Sequence, residues 1–219
     1  HGATYKGRSV GTIGDIGSWS FCQDKIMTTG GEGGMVTTNN TKLWKKMWSY
    51  KDHGKNYDLI SYPSKKPGFK WLHQSFGTNW RMTEMQASIG RIQLNKMNEW
   101  NKLRNRNAKQ ILEALEKYPE EVEIPSIPNY VNHAFYRVYA SIKTNPAKKS
   151  WSRDRIVFEV TNLGFPAFQG SCSEIYREKC FISYGLLQEE LPNALKLGQT
   201  SLMFLVHPTI TNEQMKHYA

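Results

Sequence analysis

Hydrophobic and polar residues change rhythm along this chain, and the rhythm predicts most of its elements. Residues 1–38 are rich in glycine and small polar residues, with short stretches at Ser18–Phe21 and Met35–Thr38 that read as strands. Leu43, Trp44, Met47 and Trp48 then recur at helical spacing, with Asn39–Thr41 as caps before them and His53-Gly54 as the stop. From Lys55 to Trp80 no period is sustained, and Pro63, Pro67, Gly68 and Gly77 break the chain. That predicts a long loop of functional or interfacial use. Thr83 and Gln86 make a capping-box pair ahead of a strong helix. Met82, Met85, Ile89 and Ile92 form its apolar stripe; Trp100, Leu103, Ile111, Leu115 and Tyr118 continue it after a phase break near Asn95–Asn98. The stripe is assigned to core packing.

Residues 121–133 carry Pro125 and Pro128 and read as a connector. Beyond it the pattern gives a strand near Ala134–Ile142 and a helix near Ser152–Leu163 ended by Gly164. A strand at Ser201–Val206 and a helix opening at Thr211, with Gln214 as box partner, complete it. Strands alternating with helices argue an α/β fold. The shift in composition near 120–130 predicts a second, smaller lobe whose first helix begins before the connector, so the chain divides into 1–100 and 101–219.

Composition narrows the class. Hydrophobic residues make up 39% of the 219, and 7 Trp, 11 Tyr and 9 Phe add core volume efficiently. The longest unbroken apolar run, Leu202–Val206, is far short of the ~20 residues that cross a bilayer, so no membrane partner is expected. The net charge of +10 admits an anionic partner. Yet the cations are scattered, as Lys45/Lys46, Lys65/Lys66/Lys70, Lys102–Lys109 and Lys148/Lys149, with no run that marks a nucleic-acid arm. A solvated lysine-rich surface is the simpler reading, and no nucleic acid is expected. Cys22, Cys172 and Cys180 are an odd count without metal spacing, which points to a reducing, cytoplasmic setting. His53, His133 and His207 show no paired spacing on one helix face, so no metal site is expected.

The stretch that carries chemistry is Gly11–Gly34. A short strand delivers Ser20, Lys25 follows five residues later, and Thr28, Thr29 and the run Gly30-Gly31-Glu32-Gly33-Gly34 come next. Lys25 reads either as a surface lysine or as a Schiff-base nucleophile in a Ser/Thr-lined pocket. The glycines read either as a hairpin turn or as a phosphate loop. The phosphate-loop reading fails, because no Gly-Lys-Ser/Thr closes the run and no helix follows it directly.

The chain as a whole resembles the DegT/DnrJ/StrS-type aminotransferases. HGATYKGRSVGTIGDIGSWSF at the start, KIMTTGGEGGMVTTN from Lys25, KDHG at 51–54 and NWRMTEMQASIGRIQL at 79–94 match successive family blocks. HAFYRVYA at 133–140, GSCSEIY at 170–176 and LGQTSLMFLVHPTIT at 197–211 match the blocks of its small domain. The resemblance implies a fold type I aminotransferase: 1–100 as the end of the large cofactor-binding domain, 101–219 as the small C-terminal domain. It implies pyridoxal 5'-phosphate as cofactor, Lys25 as the lysine bonded to it and the later proton carrier, and Ser20 as a donor to its phosphate.

The loop FGTNWRM is similar to one that reaches a neighbouring subunit's cofactor phosphate, with Asn79 the first choice for that contact and Arg81 the second. A homodimer with shared sites follows. His133 and Tyr136 fall in a block bordering the substrate. The implied reaction transfers an amino group, with glutamate as donor, to a 3- or 4-keto sugar on a nucleotide, for amino sugar and polysaccharide biosynthesis. Keeping Lys25 favours transamination over the dehydrases of the same family. The family's ring-binding carboxylate lies in a block before His1, so this sequence is expected to be a C-terminal portion that alone holds the cofactor weakly. The competing readings are a regulatory or scaffold protein that keeps the fold without catalysis, and a nucleic-acid module supported only by charge.

Overall fold

The computed structural model describes residues 1–60, 62, 67–143, 151–186 and 189–219. Pro63, Lys65, Lys66, Lys148 and Lys149 of the sequence reading lie outside the described residues. In chain order the first elements are β1 (Thr4–Tyr5), β2 (Arg8–Ser9), β3 (Gly17–Ser20), β4 (Gly34–Thr37), α1 (Thr41–Lys51), α2 (Tyr57–Ile60) and α3 (Glu84–Leu115). There follow β5 (Val122–Glu123), β6 (Val131–Asn132), β7 (Val138–Ile142), α4 (Arg153–Asn162) and β8 (Ala167–Gln169). The last are α5 (Lys179–Ser183), α6 (Pro192–Thr200), β9 (Ser201–Phe204) and α7 (Asn212–Tyr218). The chain forms two compact units, His1–Asn98 with Asn129–Asn132, and Glu99–Pro128 with His133–Ala219.

In the first unit β3 and β4 pair antiparallel, Gly17 opposite Thr37 and Ser20 opposite Gly34. A second small sheet has the order β2-β1-β6. Its third strand comes from the segment read as a connector, so that segment is more than a linker: Tyr5 pairs with Val131. Helix α1 starts where its cap predicts, since the Asn40 side chain accepts from the Lys42 and Leu43 N–H groups. It ends at a turn in which His53 and Gly54 have φ of 61° and 77°. The expected long loop contains order of its own. Asn56 Oδ1 accepts from Asp58 N at 2.8 Å, which opens α2, and the Tyr57 ring meets Trp44 and Trp48 edge-on.

Helix α3 corrects the sequence reading twice. Its 32 residues run without a break where a phase change was expected. The first half of the stripe assigned to the core is largely exposed, with Met85 77% and Ile92 60% accessible, whereas Ile111 is buried and Leu115 packs on the core as expected. The covered face in the first unit is one residue out of step: Gln86, Gly90, Gln93 and Met97, with Gly90 and Met97 buried. In the second unit Arg104, Asn107, Ala108 and Ile111 continue that spacing and are buried. The stripe is uninterrupted once its polar members are counted, and a purely apolar pattern hides it.

The second unit holds a four-stranded sheet of order β5-β7-β9-β8, each pairing antiparallel. Val138, Ala140 and Ile142 alternate inward along β7. Val138 and Ile142 pack with Ala108, Ile111, Ala167, Leu202, Phe204 and Met215 in one core. The Thr211–Gln214 capping box fixes the start of α7. Asn107, fully buried, donates to His207 O at 3.0 Å, so the unit's deepest polar side chain is satisfied by a loop carbonyl.

Candidate functional site

Strand β3 presents Ser20 at its C-terminal end, and the chain then turns through Cys22–Lys25, where Lys25 N bonds Cys22 O at 3.0 Å. This turn is held from below by backbone and hydroxyl contacts. Phe21 N bonds Gly33 O at 2.8 Å, Thr28 Oγ1 donates to Phe21 O at 3.0 Å, and Thr29 Oγ1 donates to Glu32 O at 3.0 Å. Helix α3 completes the support: Gln93 Oε1 accepts from Thr28 N at 2.9 Å and Gln86 Nε2 donates to Glu32 O at 2.7 Å. Gly33 is required here, since a Cβ would lie 2.2 Å from Thr29 Oγ1. The glycine run is therefore a tightly packed turn that closes the β3–β4 ribbon.

His1, Gly11, Gly17, Ser18, Trp19, Ser20 and Lys25 line an open cavity of ≈ 370 Å³ with Val10. Trp19 is its fixed wall. Its Nε1 donates to Thr37 Oγ1 at 3.0 Å, that hydroxyl donates to Gly11 O at 2.9 Å, and the His1 ring stacks on the indole at 5.7 Å. His1 Nδ1 accepts from Met27 N at 3.1 Å, a role the sequence reading did not assign. The Lys25 side chain is about one-third exposed, and Nζ lies 3.1 Å from Asp24 Oδ1. Lys25 and Ser20 thus share one cavity.

Asn79 and Arg81 form a different cluster. Arg81 Nε donates to Asn79 Oδ1 at 3.1 Å and lies 3.8 Å from Asp52 Oδ1. Asp52 is only 7% exposed, with His53 Nδ1 at 2.9 Å and Lys55 Nζ at 3.1 Å from the same carboxylate oxygen. The His53 hydrogen bond, then the Lys55 and Arg81 charges, outweigh burial and hold its carboxyl well below the usual range, at about 2. Asp52, within KDHG, is a residue whose task the sequence alone leaves open. An acid flanked by His53 and Lys55 is the signal that was there to use.

His133 and Tyr136 lie in the second unit. His133 Nδ1 accepts from Phe135 N at 2.9 Å, across a backbone with φ of 45° at Phe135, and burial pushes the imidazole pKa down. Arg104, 3% exposed, donates from Nη1 to the carbonyls of Phe135 and Tyr136 at 3.3 and 3.2 Å. A larger hollow of ≈ 530 Å³ in this unit, over Leu112 and Phe135, contains neither His133 nor Tyr136.

The model of the DegT/DnrJ/EryC1/StrS aminotransferase family matches residues 1–219, and the chain belongs to that family. An X-ray structure of the aminotransferase from Psychrobacter cryohalolentis is 55% identical with a TM-score of 0.94, covering 100% of this chain and 57% of that one. GDP-perosamine synthase of Caulobacter vibrioides is 31% identical over 74% of this chain and 40% of its own length. The L-glutamine:2-deoxy-scyllo-inosose aminotransferase of Streptoalloteichus tenebrarius is 30% identical over 76% of this chain and 39% of its own. This chain spans about half the length of the relatives it matches end to end. No described helix is long and apolar enough to cross a membrane.

Proposed function

We propose that the protein is a pyridoxal-phosphate-dependent aminotransferase that aminates a keto sugar carried on a nucleotide, in the cytoplasm. Residues 1–100 are then the C-terminal part of its cofactor-binding domain and 101–219 its small domain. The observation that carries the reading is that Lys25 and Ser20 line one cavity, in a family whose matched relatives include a GDP-perosamine synthase. The residues present fit the cofactor at two of its ends. Lys25 offers an amine for the aldehyde and Ser20 a small hydroxyl donor for the phosphate, in a cavity that His1 and Trp19 also line. The cavity volume of ≈ 370 Å³ is within the usual small-molecule range. No acidic side chain lines it among the described residues.

When bound, the cofactor supplies an electron sink for the carbon that loses its proton. The chain's own residues do the rest. Lys25 Nζ, as the free amine, would hold the cofactor by its aldehyde and would hold and move the proton at the reacting carbon. Ser20 would hold the phosphate in the cavity that Lys25 also lines. Keeping Lys25 favours this reading over a regulatory or scaffold role.

Glutamate is the proposed donor; the Streptoalloteichus relative is named for glutamine, so both belong in the assay. Asn79 and Arg81 contact the cofactor phosphate of a neighbouring subunit in a homodimer, while His133 and Tyr136 border the substrate. The exposure of Phe69, Trp71, Phe76 and Trp80 supports a covered subunit face there. The test adds pyridoxal phosphate to the full-length gene product and follows the visible band and its trapping by borohydride. The band is expected in the wild type and absent in Lys25→Ala. An unchanged band in that variant overturns the assignment.

A further inference from the structure

The Asp52 cluster lies outside the Lys25 cavity, yet it is the most heavily braced charge among the described residues of the first unit. Around it two chain segments, 50–56 and 72–80, zip together: Thr78 N bonds Tyr50 O at 2.6 Å, His53 N bonds Thr78 O at 2.9 Å, and Trp80 N bonds Lys51 O at 3.0 Å. Asp52 and Asn79 face each other in an antiparallel bridge. The turn that makes the zip possible is specific, because a Cβ on Gly54 would lie 1.7 Å from Ser75 O. The buried carboxylate then reaches across it, with Arg81 Nε at 3.8 Å and Arg81 in turn bonded to Asn79.

A buried carboxylate is costly unless several donors satisfy it. Here His53, Lys55 and Arg81 supply three cationic or donating groups to one oxygen, more than a surface turn needs. The excess of positive charge faces outward through Arg81, whose side chain is about half exposed. At 3.8 Å the carboxylate attracts the guanidinium as an ion pair, while the direct hydrogen bond from Nε goes to Asn79 Oδ1.

We propose that Asp52 is a positioning residue: it holds Arg81 and Asn79 in the geometry in which their loop binds a phosphate group. The inference rests on the reading above, in which that loop contacts the cofactor phosphate. Asp52 touches no substrate or cofactor itself, and its influence runs wholly through Arg81 and the paired backbone of Asn79.

The test is a mutant cycle on the full-length gene product, with the dissociation constant of pyridoxal phosphate read by absorbance titration. Asp52→Asn is expected to weaken binding by about tenfold, and to add nothing in an Asn79→Ala/Arg81→Ala background. Lys55→Met, which leaves the carboxylate its other partners, shifts affinity the same way by a smaller factor. Equal weakening by Asp52→Asn in both backgrounds would mean general destabilisation and overturns the proposal. Amide hydrogen exchange supplies the readout independent of cofactor: the Thr78 and Trp80 amides exchange faster in Asp52→Asn. Unchanged exchange there defeats the positioning role alone. Faster exchange with wild-type affinity in Asn79→Ala/Arg81→Ala defeats instead the phosphate reading beneath it.

Discussion

Gln93 and Thr28 are 65 residues apart in sequence and joined by one hydrogen bond, in which the Gln93 side-chain oxygen accepts the Thr28 N–H at 2.9 Å. Through it a glutamine on the long helix holds the end of the turn that displays Lys25. With Gln86 bonded to Glu32 O seven residues earlier on the same helix face, the glycine turn is pinned at both sides. A polar side chain is better suited to this than an apolar one, because the turn offers only backbone groups that need partners.

Gln93→Ala is therefore expected to cost about 1 kcal/mol, since it removes the acceptor of a half-buried backbone N–H. Urea denaturation of the variant against the wild type measures it. A midpoint equal to wild type would show that water replaces the glutamine without loss.

Gly17→Ala acts on the opposite side of the same site. The new Cβ would lie 2.3 Å from Gly11 O and 2.8 Å from Thr37 Oγ1, so backbone must move in β3 or in the segment before it. A loss of about 1–3 kcal/mol is expected from such overpacking. Thermal melting detects it, and near-ultraviolet circular dichroism of Trp19 reports the displaced wall. A variant as stable as the wild type with an unchanged spectrum contradicts the packing described for β3.

Tyr218 makes the third prediction, in the second unit. Its hydroxyl donates to Pro166 O and accepts from Leu205 N at 3.3 Å, and burial pushes the phenol up to about 12. An acid whose folded pKa is raised stabilises the fold through its protonated form. That contribution is complete below the ordinary value near 10 and is lost as pH rises through about 12. Stability measured in urea should fall between pH 9 and 12 in the wild type more than in Tyr218→Phe, which itself loses about 1 kcal/mol at neutral pH. Parallel pH profiles for the two proteins would contradict it.

The parts of this structure that are legible in sequence are those made by near neighbours. Asn40, the Thr83–Gln86 pair and the Thr211–Gln214 pair each bond backbone two or three residues away, so the residue types alone announce the helix starts. The same holds for Gly164 after α4, where φ of 87° suits glycine. Asn56 opens α2 by the same local rule, and there the signal was present but lost among the prolines around it.

The burial of the first half of α3 was not legible, although Ile111 further along was. A helix declares its apolar residues, but which face is covered depends on what lies against it. In this chain Gln86, Gly90 and Gln93 meet a turn of backbone groups, while Met85 and Ile92 stay open. The pairing of Tyr5 with Val131 was hidden for a related reason: two-residue strands have no period, and only the folded backbone brings them together. Asp52 shows the limit on the charged side, since the sequence lists its neighbours His53 and Lys55 but not Arg81, which arrives through the zip of 50–56 against 72–80.

By itself, then, the sequence determined the starts of α1, α3, α4 and α7, most of the longer strands, the α/β class and the family, and it singled out Lys25. The tertiary structure alone decided that Lys25 shares a cavity with Ser20 and Trp19, that two glutamines brace its turn, and that a buried carboxylate lies beside Arg81. The division follows the range of the forces involved. Caps and periods are set within a few residues, whereas satisfying a buried polar group depends on whichever distant segment folding delivers to it.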